Sequence, residues 1–362
     1  MRRIGGLWEA VIRWPNLSLA ARRARRRKVG RPVVRRFELR REWALLDVRD
    51  ALNAGSWRPG PFTTHWITRP KPRLISAAPY PDRVVHHAVM NVLEPMLERR
   101  FHPHSFACRR GKGTHAASRH LQCLLRRFRH SLQFDVRKYF PSIDHALLMD
   151  LFRRLIKDAR LLGLLGAIVE GSNEQEPVFD WFPGDGLFAP AERRRGLPIG
   201  NLTSQWFANL FLDPLDHWAT SRMRVGGYVR YCDDFILLDD DRGKLREMAH
   251  AVPEYLAGLR LRVHQRRVAV LPSAAGRTFV GYRTLPTHRV ITAEGRRRFF
   301  RRLRWMKRAF AAGLIDAASV HQRLMSWVGH AGQADSAPLF RKLREELVFE
   351  GGRFQAFRGG SG

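Results

Sequence analysis

Apolar positions recur along the chain with two periods, and the switches between them predict its elements. Over residues 37–54, Leu45, Val48 and Leu52 fall on one helical face, and Gly55 stops the helix. Trp57-Arg58-Pro59-Gly60 predicts a turn. Residues 61–79 predict a short hairpin, or strands interrupted by Pro70, Pro72 and Pro79. Asp82 is placed to cap a helix carrying Val85, Val89, Val92 and Met96. Residues 131–136 predict a strand that ends near Pro141, and residues 144–170 return to helical spacing. A Gly- and Pro-rich passage over 171–195 predicts a loop or small insertion, and residues 202–213 an apolar helix. Residues 228–238 read as strand, turn, strand; 243–259 as a helix; 261–271 and 277–285 as strands. From Ala293 the spacing is helical again, with Phe299, Leu303, Met306 and Phe310 on one face and eight basic residues from Arg296 to Arg308 covering the rest.

This order predicts an α+β chain: a basic N-terminal extension at 1–36, a mixed unit at 37–130, a sheet-centred unit at 131–290 and a helical unit at 291–350, with a flexible tail at 351–362. With 362 residues, 44% of them hydrophobic, the chain can bury real cores. Charge then narrows the partner. Lys and Arg number 65 against 33 Asp and Glu, a formal net charge of +32, which favours a polyanion. The basic residues run through the whole chain, as in a nucleic-acid channel, whereas a membrane-surface protein concentrates them in one amphipathic segment. No apolar run is long enough to span a bilayer, and no apolar signal segment opens the chain. Cys108, Cys123 and Cys232 are scattered and odd in number, which fits a reducing cytoplasm.

Three carboxylates carry the candidate chemistry. Asp233 and Asp234 sit between apolar strand halves, Val229 to Tyr231 and Phe235 to Leu238. Adjacent carboxylates there are costly unless a turn exposes them or a cation neutralises them. Asp239, Asp240 and Asp241 follow the strand and suit an ordinary exposed turn better. Asp135 ends the apolar strand of Leu132, Phe134 and Val136, with Tyr139 and Phe140 next. A template-copying reaction needs such groups: a 3′-hydroxyl attacks an α-phosphate between two divalent ions about 4 Å apart, and hard oxygen ligands suit magnesium.

The motif Tyr231-Cys232-Asp233-Asp234 resembles the Tyr-x-Asp-Asp box of reverse transcriptases. Phe134-Asp135-Val136-Arg137-Lys138-Tyr139-Phe140-Pro141-Ser142-Ile143 resembles the first catalytic motif of that family. Gly196-Leu197-Pro198-Ile199-Gly200-Asn201-Leu202-Thr203-Ser204-Gln205 resembles its loop-helix motif, in the form found in diversity-generating retroelements. The resemblance covers about residues 15–335 and implies a right-hand polymerase: fingers at 37–130, palm at 131–290 and thumb at 291–350. It implies an RNA-directed DNA polymerase with Asp135, Val136, Asp233 and Asp234 holding two Mg2+ ions, for which Mn2+ can substitute. Lys71, Arg73, Tyr139, Phe140, Ile199, Gly200 and Gln205 would contact the nucleotide, Phe140 as the gate against a ribose 2′-hydroxyl. Arg109, Arg110, Lys112, Tyr231, Gly281 and Tyr282 would contact template or primer. The implied partners are an RNA template, a DNA or RNA primer, deoxynucleoside triphosphates and a small helical accessory protein. Many relatives carry Gln where Ile199 stands, and its loss implies error-prone copying, notably opposite adenine. The family's general-acid Lys is also missing, the segment here being His264-Gln265-Arg266-Arg267.

Other readings compete. Gly111-Lys112-Gly113-Thr114 lacks the spacing of a phosphate-binding loop. His86-His87 and His102-Pro103-His104 read as structural histidines, having no Cys or carboxylate at ligand spacing. Trp57, Trp66 and Trp181 are candidates for stacking on bases. Within the enzyme class, the alternatives are reverse transcriptases of retron, group II intron-like or phage-defence lineages. The non-enzyme alternative is a basic RNA-binding protein with no catalysis.

Overall fold

A computed structural model describes residues 3–68, 72–172, 176–265 and 268–347. Helices Trp8–Ile12 (α1), Trp14–Arg25 (α2), Pro32–Leu39 (α3) and Arg41–Asn53 (α4) precede an antiparallel hairpin of Thr63–Ile67 (β1) and Arg73–Ala77 (β2). Tyr80–Arg100 (α5) and Thr114–Arg127 (α6) lead to His130–Asp135 (β3). Tyr139–Ser142 (α7), His145–Leu155 (α8), Ala159–Glu170 (α9), Ala189–Glu192 (α10) and Leu202–His217 (α11) separate β3 from the hairpin Gly227–Tyr231 (β4) and Asp234–Asp239 (β5). Arg242–Gly258 (α12) and Val270–Pro272 (β6) complete the central unit. The order β4-β5-β3-β6 is antiparallel throughout. Arg277–Phe279 (β7), Tyr282–Thr284 (β8) and Arg289–Ile291 (β9) form a second antiparallel sheet, and Ala293–Ala311 (α13), Ala317–Ala331 (α14) and Ala337–Glu346 (α15) close the described chain. Helices on an antiparallel palm sheet, with a helical unit after it, give the α+β right-hand arrangement.

Strand alternation sorts the central sheet into two faces. Leu132, Phe134, Phe235, Leu237, Tyr228 and Arg230 point one way. The apolar residues among them join the main core with α5, α8, α11 and α12, and Phe134 stacks on Phe235 at 5.2 Å. Each such fully buried aromatic contributes about 1.5–3 kcal/mol. Val229, Ile236 and Leu238 point the other way, onto Leu121, Leu124 and Leu125 of α6. Asp135 and Asp234 share that second face at its end, where α6 no longer covers the sheet.

Within residues 1–36, Leu17, Ala20, Ala21 and Ala24 of α2 are wholly buried, and Asn16 donates to the Ala88 carbonyl of α5 at 3.0 Å. The arginines of α2 are solvated while its apolar stripe is buried, because apolar residues at helical spacing outcompete the charge run. Three expectations of local structure change. The helix at 144–170 is broken, because Ile4 pairs with Ile156 as a strand and Asp158 accepts from Leu7 N–H at 2.6 Å and Trp8 N–H at 3.1 Å, capping α1. Asp82 lies inside α5 and accepts from Gly60 N–H at 2.7 Å instead of capping. Among the described residues of 261–271 only Val270 and Leu271 join a strand, with Val263 bridged singly to Val136. Among the described residues no helix is long and apolar enough to cross a membrane.

Candidate active site

The β4–β5 turn is tight. Tyr231 pairs with Asp234, leaving Cys232 and Asp233 at the tip, and Cys232 takes φ 59°. The same strand pairing sets Asp135 directly opposite Asp234. Asp233 is tied to the neighbouring strand end by its carbonyl, which accepts from Val136 N–H at 3.1 Å. On the far side of β3, His264 N–H donates to the Asp135 carbonyl at 2.9 Å. Register and turn therefore bring three half-buried carboxylates to one end of one sheet. Their hard oxygens suit Mg2+. Among the described residues no group of three side chains is gathered closely enough to hold an ion. The Asp234 carboxylate accepts from the Gln133 amide at 2.8 Å through Oδ1.

Asp239, Asp240 and Asp241 behave differently. Asp239 accepts from Lys244 at 2.9 Å and Gly226 N–H at 3.0 Å, Asp240 from Arg129 N–H at 2.8 Å, and Asp241 caps α12. These are the structural carboxylates that their place after the strand suggests.

Residues 196–201 bridge the palm strand end and the fingers hairpin. Leu197 N–H donates to the Phe140 carbonyl at 2.9 Å, and Gly196 N–H to that of Ile143 at 2.8 Å. On the other side Ser76 N–H donates to the Ile199 carbonyl at 2.9 Å. Asn201 donates to the Ser76 carbonyl at 3.2 Å and accepts from Ala78 N–H at 3.3 Å. Gly200 takes φ 118° against Ile75, a conformation that glycine adopts without strain. Half-buried Ile199 and exposed Gln205 stand at the edge of this bridge.

The family described as "Reverse transcriptase (RNA-dependent DNA polymerase)" matches residues 66–284, more than half of the chain. The chain belongs to the reverse transcriptase family. Protein YkfC of Escherichia coli K12 is 25% identical over 280 residues, covering 66% of this chain and 70% of YkfC. The group II intron-encoded protein LtrA of Lactococcus lactis subsp. cremoris is 24% identical over 172 residues, 46% of this chain and 26% of LtrA. Nuclear intron maturase 1 of Arabidopsis thaliana is 27% identical over 96 residues, 26% of this chain and 14% of the maturase. Among solved structures, the apo telomerase of Candida tropicalis, truncated from its C-terminal domain, superposes with a TM-score of 0.47 at 14% identity, over 69% of this chain and 60% of the telomerase. A partial Cas6-RT-Cas1–Cas2 complex gives 0.41 at 19% identity, over 70% of this chain and 41% of that one.

Within this reverse transcriptase the remaining expected residues divide. Arg73 at the start of β2 and Arg110 are exposed, and Phe140 and Tyr231 are half-buried. Lys71, Arg266 and Arg267 lie outside the described residues. Three side chains turn inward. The Tyr139 hydroxyl is buried and donates to the Ala208 carbonyl at 2.5 Å, so this ring holds α11. Arg109 is 4% exposed at its side chain and donates to Glu98 and to the His102 and Ser105 carbonyls. Tyr282 is fully buried, its hydroxyl 2.9 Å from His115 Nδ1 and 2.8 Å from His330 Nδ1, so it joins α6 to α14. Gly281, at φ 90°, forms the β7–β8 turn beside His330. Lys112 is half-buried over the Phe106 ring at 4.9 Å. Of the three tryptophans, Trp57 is buried, while Trp66 and Trp181 are exposed.

The pattern reading missed Gln133, Asn201, Asn209, Asp216 and Arg230. Arg230 alone had a signal: a charge at a core-facing position of a strand that is otherwise apolar.

Proposed function

We propose that this reverse transcriptase copies an RNA template into DNA, with Asp135, Asp233 and Asp234 as the carboxylates of the reaction. The observation that carries the reading is the strand register that opposes Asp135 to Asp234 beside the turn residue Asp233. Those carboxylates would hold two Mg2+ ions, or Mn2+ in their place, which when bound neutralise charge on the attacking and leaving oxygens. Val136 would contribute its carbonyl oxygen beside Asp135, while its N–H holds the Asp233 carbonyl. Arg73 would meet triphosphate oxygens as a fixed cation. Phe140 would stand as the sugar gate, and Ile199, Gly200 and Gln205 would line the nascent pair. Template and primer contacts would fall to Arg110, Lys112, Tyr231 and the Gly281 turn.

The test is primer extension on an RNA template with Mg2+, comparing wild type with Asp233→Asn. Wild type extends the primer and Asp233→Asn falls at least about a hundredfold. Equal extension by both removes the residue assignment. No extension by either, with salt-sensitive RNA binding retained, leaves a basic RNA-binding protein.

Two lineages are open within this activity. Ile199 and the Ser204-Gln205 ending support an error-prone retroelement enzyme working with a small helical accessory protein. The likeness to LtrA, group II intron-encoded by name, supports an intron-type enzyme. Misincorporation opposite template adenine separates them: Ile199→Gln lowers it in the first case and leaves it unchanged in the second.

A further inference from the structure

Beneath the turn lies a side chain with no assigned part in the reaction. Arg230 points to the core face of β4 and is fully buried. A buried guanidinium is costly unless each arm is satisfied. Here Nε donates to Asp216 Oδ1 at 2.6 Å and Nη2 to Asp216 Oδ2 at 2.5 Å, a bidentate pair from the end of α11. Nη1 donates to Asn209 Oδ1 at 3.3 Å and to the Cys232 carbonyl at 3.0 Å. Asp216 also accepts from Tyr228 at 2.5 Å, and Asn209 donates to the Ala107 carbonyl at 2.8 Å. The backbone of Arg230 is pinned as well: its N–H donates to the His104 carbonyl and its carbonyl accepts from Phe106 N–H, both at 2.9 Å.

The bond to Cys232 has no place in a simple core ion pair. Cys232 holds φ 59°, which costs about 1 kcal/mol or more in a residue other than glycine and needs outside support. The two peptide carbonyls flanking the Asp233 backbone are both held, that of Cys232 by Arg230 and that of Asp233 by Val136 N–H at 3.1 Å. With both peptide planes fixed, the Cα–Cβ direction of Asp233 is fixed too, which limits where its carboxylate can reach, and Asp234 follows in the strand. We infer that Arg230, locked by Asp216 and Asn209, is a positioning residue that holds the Cys232–Asp233 turn and so aims the Asp pair. The inference rests on the assignment of Asp233 and Asp234 above.

The test uses full-length wild type, Asp233→Asn, Arg230→Lys and the double variant Arg230→Met/Asp216→Leu. Asp216 and Cys232 are met by different arms of the guanidinium fork, which a Lys ammonium lacks, so Arg230→Lys keeps the charge pair and loses the tether. The double variant removes both charges together and strands neither. Each protein is followed by thermal melting, primer extension with Mg2+, and hydrogen–deuterium exchange of the peptide spanning the turn. Both Arg230 variants melt cooperatively, lose kcat about 10- to 100-fold, keep KM for the nucleotide within about threefold, and exchange faster at 231–234 alone. Wild-type kcat and wild-type exchange at the turn in whichever variant folds would overturn the inference, as would a loss of cooperative melting in both. Asp233→Asn separates the two ideas. If it is inactive while Arg230→Lys matches wild type, only the positioning role fails. If it extends normally, the carboxylate assignment fails, and exchange at the turn alone decides whether Arg230 holds it.

Discussion

At the scale of single residues, Gly200 shows how little space the candidate nucleotide site leaves. A Cβ there would stand 3.0 Å from Ile75 Cγ2 and 3.4 Å from the Ser76 carbonyl oxygen, on a backbone at φ 118°. Gly200→Ala therefore pushes the 196–201 bridge off the fingers hairpin. We expect a melting temperature lower by several degrees and a clearly raised KM for the nucleotide, with primer–template affinity unchanged. An unchanged KM would mean that the bridge does not border the nucleotide. The glycine and Asn201 both stand in the motif read from the sequence, but the role of Asn201, whose amide serves both Ser76 and Ala78, was not legible there. The Asp pair was legible for a physical reason, since charge inside an apolar strand pattern stands out. The inward turns of Tyr139, Arg109 and Tyr282 were not, because rotamer and partner are set by residues as far as 69 positions away for Tyr139 and 167 for Tyr282.

At the scale of elements, apolar spacing located the helices and the β4–β5 hairpin but not where helices stop. The break between α8 and α9 depends on Ile4 and on the α1 amides that Asp158 caps, a pairing across 151 positions. The N-terminal segment carries the clearest consequence. Its arginine run reads as an arm, yet α2 lays a wholly buried Leu17-Ala20-Ala21-Ala24 stripe against α5, where Val84, Val85 and Ala88 are equally buried. Removing residues 1–31 uncovers that face. The truncated protein is expected to lose cooperative melting and aggregate, as an exposed core face does. A truncation that melts like the full chain and only binds nucleic acid less tightly would restore the arm.

At the scale of the whole molecule, buried histidines link stability to pH. His86 is 4% exposed, and burial first, then His87 and Arg83, hold its pKa at about 4. Burial, Lys28 and Arg23 do the same for His87, and burial depresses His102 and His104 to about 4 despite Asp216 beside His102. In the unfolded chain each takes up its proton near pH 6.5, and in the folded chain only near pH 4. Between those values the unfolded state binds more protons, so stability falls as pH falls. For His86 alone the span amounts to roughly 3 kcal/mol, and the three partly exposed rings add less each. Buried Asp82 opposes the trend at the acid end, because burial raises its pKa against the Gly60 N–H bond that lowers it. The melting temperature should therefore be level above pH 7 and drop most steeply between about pH 6 and 4.5, where the unfolded rings are protonated and the folded ones are not. His86→Gln should flatten part of that slope while leaving the neutral-pH value within a few degrees. A wild-type melting temperature that stays level from pH 7.5 to 5 would show that these rings meet water and protons in the folded chain, and that the fingers are less closed than their packing indicates.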